Sequence, residues 1–161
     1  MPSFDVVSRV DMQEVDNAVN QTKKEINGRY DFRNSKSKVE LEKEAITITA
    51  DDDMKLKAIQ EILSQKIAKR GVGVRALDFK EAEKATGMML KQKVMIKQGI
   101  SQDDGKAIVK LIKEAGLKKI QAQIQQDQVR ITGPKKDDLQ EVIKLLREKV
   151  KLELQFVNMK D

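Results

Sequence analysis

ITITADDDMKLKAIQEILSQKI, residues 46–67, aligns without a gap on VRITGPKKDDLQEVIKLLREKV, residues 129–150, at an offset of 83. Five of the 22 pairs are identical: Ile48/Ile131, Thr49/Thr132, Leu56/Leu139, Leu63/Leu146 and Lys66/Lys149. Ile46/Val129, Ile59/Val142, Ile62/Leu145 and Ile67/Val150 exchange one apolar side chain for another. Each copy passes from alternating apolar residues, the period of a half-buried strand, to apolar residues three and four apart, the period of a helix with one face inward. The chain is therefore read as a tandem duplication, and the flanks tell what the repeated unit contains.

Before the first copy, residues 4–10 suit a strand, and Asp11 followed by Glu14 reads as a capping box opening a helix. Met12, Val15, Ala18, Val19 and Ile26 form that helix's apolar stripe, which stops at Asn27-Gly28. Tyr30–Arg33 alternates and is expected to be a strand, followed by a polar turn and an acidic segment around 39–44. After the helix of the first copy, Gly71 and Gly73 precede an expected strand over 74–79, and residues 80–91 read as a charged connector. The order then repeats: a strand over 93–98, a helix capped by Ser101 and closed by Gly116, a hairpin about Asp127, a helix from about 137, and a strand over 152–157. Two copies of strand-helix-strand-strand-helix-strand predict an α+β protein of two ferredoxin-like (βαββαβ) domains, each an antiparallel sheet with helices on one face and the other face free. Periodicity lets either first strand complete either sheet.

Composition narrows the function. The 161 residues contain neither Cys nor His, which removes disulfides, thiolate chemistry and the commonest metal ligands. No catalytic motif of the Gly-x-Ser-x-Gly, His-Glu-x-x-His or Walker type occurs, so no catalytic residue, metal or cofactor is assigned. Asp51-Asp52-Asp53 has the charge for Mg²⁺ but stands where a helix begins, and reads as a cap. The N-terminus lacks a signal-peptide pattern and no apolar run is long enough for a bilayer, which leads to the expectation of a cytoplasmic, non-membrane protein. Residues 1–88 carry 16 basic and 16 acidic side chains and residues 89–161 carry 16 and 10, so the whole net charge of +6 lies in the second half. That excess suits phosphate binding.

A βαββαβ sheet that binds RNA by stacking needs aromatics on its central strands, but the four strands expected there hold one aromatic between them. Electrostatic contact is the remaining mode. Lys91, Lys93 and Lys97 alternate along one strand and would gather on the free face, with Arg130 as a further cation. Lys106, Lys110 and Lys113 read as the solvated face of a helix. The most distinctive stretch is Arg29–Ser37, holding two of the five aromatics beside three cations; Arg29, Asp31, Arg33, Ser35 and Lys36 are the first candidates for nucleotide binding.

At this stretch the sequence resembles the YajQ family of bacterial proteins. Ser3–Ser8, Asp16–Gln21, Lys24–Ile26 and Arg29–Phe32 carry the resemblance, with Lys69–Val72, Lys110–Lys113, Gly116–Lys118, Gln128–Gly133 and Asp137–Gln140 later. Membership would imply that the two domains exchange first strands, giving one domain of residues 11–90 with strand 91–98 and another of 99–161 with strand 3–10. It would also imply a cytosolic, non-enzymatic nucleotide-binding protein, with GTP, ATP or cyclic di-GMP as ligand classes, RNA as an alternative ligand, and a role as an effector acting on a transcription regulator. A general single-strand binder and a protein-interaction adaptor are the competing readings. One departure stands out: the family follows Asp-Phe with Lys-Gly-Ser, and here Arg33-Asn34-Ser35 takes that place.

Overall fold

The computed structural model describes Met1–Asp161 throughout. Nine strands and four helices follow in chain order: β1 (Ser3–Val7), α1 (Met12–Gly28), β2 (Lys38–Glu42), β3 (Ala45–Ala50), α2 (Asp53–Lys69), β4 (Leu77–Phe79), β5 (Glu83–Lys84), β6 (Leu90–Ile96), α3 (Gln102–Glu114), β7 (Gln121–Gln125), β8 (Gln128–Thr132), α4 (Lys136–Lys149) and β9 (Gln155–Lys160). Single 3-10 turns occupy Tyr30–Phe32, Val74–Ala76 and Thr86–Met88.

The strands form two antiparallel sheets. One has the order β7-β8-β1-β9, the other β2-β3-β6-β4 with β5 also on β6. β1 therefore lies among strands from the C-terminal half, pairing Phe4 with Ile131 and Val6 with Val129. β6 lies among strands from the N-terminal half, pairing Ile46 with Val94 and Ile48 with Gln92. This is the first-strand exchange of a duplicated ferredoxin-like α+β protein. The chain divides into one compact unit of residues 10–97 and another of residues 1–9 with 98–161.

Each unit closes over its own apolar core, built from the inward faces of its sheet and helices. In the 10–97 unit Val15, Val19, Ile46, Ile48, Leu56, Ile59, Leu63, Ile67 and Val94 are buried together. In the other, Phe4, Val6, Ile108, Val129, Ile131, Val142 and Leu146 are. The repeat that opened the sequence thus supplies the same positions to both cores. Local signals set the ends: the Asp11 carboxylate accepts from the Gln13 and Glu14 amides, and the Ser101 hydroxyl accepts from the Asp104 amide. The reciprocal half of the Asp11 box is replaced, since Glu14 accepts from Asn17 Nδ2 and faces Arg70.

The interruption between β4 and β5 is closed by a buried side chain. Gln92, on the core face of β6, donates to the Lys80 carbonyl at 2.8 Å and accepts from Gln60 at 2.6 Å. A buried amide in this position costs little because its polar groups are bonded.

Several expected elements differ, the closing strand among them, which runs Gln155–Lys160 and not 152–157. Tyr30–Arg33 is a single turn and not a strand: the Phe32 and Arg33 amides donate to the Arg29 and Tyr30 carbonyls, which drops Phe32 into the core and leaves Tyr30 85% exposed. The strand of that position is β2, in the acidic segment, where Val39 and Leu41 face inward and Lys38, Glu40 and Glu42 outward. Likewise only residues 77–79 of the expected 74–79 strand are extended into the sheet.

Candidate functional site

The segment 29–37 is held by its own side chains. Arg29, just past the end of α1, forks onto Asp31, with Nε to Oδ1 and Nη2 to Oδ2 both 2.9 Å. The guanidinium holds the Asp31 carboxyl below its usual range, and the carboxylate raises Arg29 in turn. Arg29 also lies over the Phe32 ring at 5.8 Å. Asp31 is thus satisfied within the turn, and Arg29 is neutralised there; neither is presented to a ligand as a free group.

Asn34 has φ +62°, the left-handed conformation that Gly adopts freely and Asn tolerates best among other residues. The turn that follows is tied to Asp51. Its carboxylate accepts from the Ser35 hydroxyl and, at 3.2 Å, from the Lys36 amide, while the Asp51 amide donates to Ser37 Oγ at 3.2 Å. A phosphate entering at Ser35 would meet this carboxylate. Arg33 and the Lys36 ammonium are the side chains of the segment that keep their charge unpaired.

The second set of candidates divides between the units. On β6, Lys91 and Lys93 are exposed and alternate with the buried Gln92 and Val94. The register places Lys91 opposite Thr49 and Lys93 opposite Thr47. β2 continues both rows, with Lys38 opposite Thr49 and Glu40 opposite Thr47. The sheet face turned from the helices therefore presents Lys38-Thr49-Lys91 and Glu40-Thr47-Lys93, in rows whose neighbouring strands are about 5 Å apart. Lys38 pairs with Glu40 at 3.7 Å in an exposed contact. Lys91 and Lys93 have no acidic partner within 4 Å, though Glu83 stands across from Lys91 on β5. Lys97 lies beyond the far end of β6, where its amide donates to the Ala76 carbonyl.

Arg130 belongs to the other sheet and is not a free cation. On β8 it faces Asp5 of β1, with Nε 3.0 Å from Oδ1, and Asn158 Nδ2 donates to Oδ2 at 2.8 Å. Asp5 is 2% exposed. The Arg130 bond, opposed by burial and helped by Asn158, holds its carboxyl below the usual aspartate range. Asn158 reaches it from a left-handed kink, φ +57°, where the β1–β9 register shifts. Sequence spacing carried no signal for this triad, since Asp5 and Arg130 are 125 residues apart.

Two residues that sequence reading left aside, Thr47 and Thr49, join the β6 lysines; their alternation with Ile46 and Ile48 was the available sign of an outward face. Elsewhere, no three carboxylates come together as a metal site, and no helix is long and apolar enough to cross a membrane.

The family described as "Nucleotide-binding protein YajQ-like" matches residues 2–160. A protein of Geobacter metallireducens named as a nucleotide-binding protein is 58% identical over 162 residues, covering all of both chains. A so-named protein of Geotalea daltonii is 57% identical over 159 residues, 98% of each chain. One of Magnetococcus marinus is 55% identical over 162 residues, again covering both chains fully. With the match running nearly end to end, the chain belongs to the YajQ-like nucleotide-binding protein family.

Proposed function

We propose that the protein is a non-enzymatic, cytoplasmic effector that binds a purine nucleotide of the GTP, ATP or cyclic di-GMP class on the free face of the β2-β3-β6-β4 sheet. The observation that carries this reading is the pair of unpaired ammonium groups, Lys91 and Lys93, alternating on β6 beside the Thr49 and Thr47 hydroxyls. Lysines on successive outward positions lie about 6.5–7 Å apart at their Cα atoms, close enough for both to reach one di- or triphosphate. Threonine hydroxyls both donate and accept, and so can meet phosphate or ribose oxygens. Family membership supports the ligand class.

Arg33 and Lys36 lie on the segment leading into β2, and Lys38, the first residue of that strand, is in the same row as Lys91. They serve as outer cations of the site, whereas Arg29, Asp31 and Ser35 shape the turn, and Arg130 belongs to a structural triad in the other unit. In this reading the site binds and releases its ligand without turnover, with a transcription regulator as the reader of the bound state. RNA is the second ligand class that such a face would accept, through phosphate contacts alone.

Calorimetry with GTP, ATP and cyclic di-GMP tests this. The double variant Lys91→Ala/Lys93→Ala is expected to bind the preferred nucleotide at least about tenfold more weakly, the loss of two charge-assisted contacts. Arg33→Ala is expected to lose less. Affinity equal to the parent's in the double variant would remove this face from the site; a strong preference for single-stranded RNA, falling steeply with salt, would favour RNA over a mononucleotide.

A further inference from the structure

The duplication provides its own control for a second surface. In the unit of residues 1–9 and 98–161, a groove of about 530 Å³ runs between α3 and the edge strand β7, lined by Lys106, Val109, Lys110, Lys113, Ala122, Gln123 and Ile124. The same architectural position in the first unit lies between α1 and β2. There the groove is smaller, about 200 Å³ at the end of α1.

The difference has an identifiable cause. Ala122 pairs with Ile131 as Val39 pairs with Ile48, so Val39 and Ala122 correspond across the duplication. Val39 is buried and Ala122 only half-buried. Counting eight residues from each helix cap brings Val19 onto Val109, again buried in the first copy and half-buried in the second. α1 has 17 residues and α3 has 13, so the second helix covers one turn less of its neighbouring strand. The second copy thus has a smaller side chain in the floor, Ala122 for Val39, and a helix about one turn shorter beside it.

What the groove presents limits what can occupy it. β7 is the last strand of its sheet, so its outer edge pairs with nothing. The hairpin loop is Gln126-Asp127, which makes Gln125 and Gln128 the hydrogen-bonded pair flanking it. Alternation then turns the backbone N–H and C=O groups of Ala122 and Ile124 away from β8, toward the open edge, while their side chains face α3. Edge strands are usually guarded by Lys, Pro or a bulge within the strand, and β7, Gln-Ala-Gln-Ile-Gln, has none of these. Three lysines form one wall, and no acid lines the groove; the single ion pair among them, Lys110 with Glu114, is long at 3.9 Å and exposed.

We propose that the α3–β7 groove docks an acidic, extended peptide segment of a partner protein, which adds to β7 as a further strand. Backbone bonds to Ala122 and Ile124 hold the segment, alternate small apolar side chains rest on Val109, Ala122 and Ile124, and carboxylates meet Lys106, Lys110 and Lys113. A nucleic acid would use the lysines but neither the apolar floor nor the unpaired strand edge. This surface is separate from the β6 lysine face and does not depend on nucleotide binding there.

The test selects peptides from a display library of random segments about ten residues long on the immobilised full-length protein. Enriched peptides are expected to alternate acidic and apolar residues and, when synthesised, to shift the amide resonances of residues 121–125. Two variants then separate the contributions: Ala122→Val, which restores the first unit's residue, and Lys110→Glu/Lys113→Glu, which reverses the wall. Each is expected to keep the parent's melting behaviour and to weaken the peptides by at least about tenfold. Failure to enrich any peptide, or peptides that bind both variants as tightly as the parent, would overturn the proposal. So would a single-stranded oligonucleotide shifting the 121–125 amides where no peptide does.

Discussion

Several individual side chains have roles that their types alone do not reveal. Asp31 has the chemistry to read a base edge, yet the Arg29 fork consumes it; Arg130 has the charge to bind phosphate, yet Asp5 consumes it. In both cases the decisive fact is a neighbour, local for Asp31 and 125 residues distant for Arg130. The Asp5 triad also gives a pH-dependent prediction. Its folded-state carboxyl titrates below the ordinary aspartate value near 3.8, so its contribution to stability is complete above that value and is lost as pH falls through the lower, folded value. Asp5→Asn is expected to cost about 1–3 kcal/mol at neutral pH, less than a fully buried pair because Arg130 is partly in water. Urea unfolding of both proteins at pH 7 and at pH 3 checks this: the gap between them should shrink at the acid end, and a gap independent of pH would rule the carboxylate out as its source.

At the scale of elements, the three aspartates at the start of α2 show how one charge run serves three purposes. Asp51 fastens the 35–37 turn, the Asp52 carboxylate accepts from the Lys55 amide at 2.8 Å as the cap, and Asp53 pairs with Lys57 in water. Removing them should have unequal effects. Asp52→Ala is expected to lower stability by about 1 kcal/mol and Asp53→Ala by less than about 0.5 kcal/mol, read from thermal or urea unfolding. The elements also show where pattern reading succeeds. The helices and β3 carried long, unambiguous periods, and Asp11 and Ser101 both cap their helices as the sequence indicates, although Glu14 turns to Asn17 and Arg70 and does not complete the Asp11 box. β2 was obscured because its outward residues are all charged, so Lys-Val-Glu-Leu-Glu looked like a polar segment, whereas the four residues Tyr30–Arg33 mimicked a strand. Four alternating residues fit one turn of 3-10 helix as readily as an edge strand. At the sites, the alternation of Lys91 and Lys93 was legible, but the half-open groove beside Lys106, Lys110 and Lys113 was not, because those lysines suit a solvated helix face equally well.

For the whole molecule, the exchange of first strands changes the electrostatic picture. By sequence halves the net charge divides as 0 and +6. Because β6 carries Lys91 and Lys93 into the first unit with Lys97 following, the units 10–97 and 1–9 with 98–161 each carry +3. Basicity is a property of both, and its concentration in the second half is a consequence of chain order. The exchange also predicts which fragments fold. Residues 10–97 contain every strand of the β2-β3-β6-β4 sheet, while residues 1–88 lack β6, the strand on which β3, β4 and β5 all pair. The 10–97 fragment is expected to unfold cooperatively in urea, and the 1–88 fragment, cut in the connector, to show no cooperative transition. Cooperative folding of 1–88 would mean that β1 can replace β6 in that sheet.

The sequence by itself determined the repeat, the four helices, the caps and the apolar positions of both cores, since these follow from periodicity and from contacts within a few residues. It also set the choice between stacking and charge as a way to hold nucleic acid or nucleotide, because aromatics are scarce. The tertiary structure decided which first strand completes which sheet, which cations remain free, and which copy of the helix–strand groove stays open. Those outcomes depend on pairing and packing between residues far apart in the chain, and both β1 and β6 have the same alternating pattern. Periodicity shows that a strand must be covered on one face, but it does not show which neighbours will cover it.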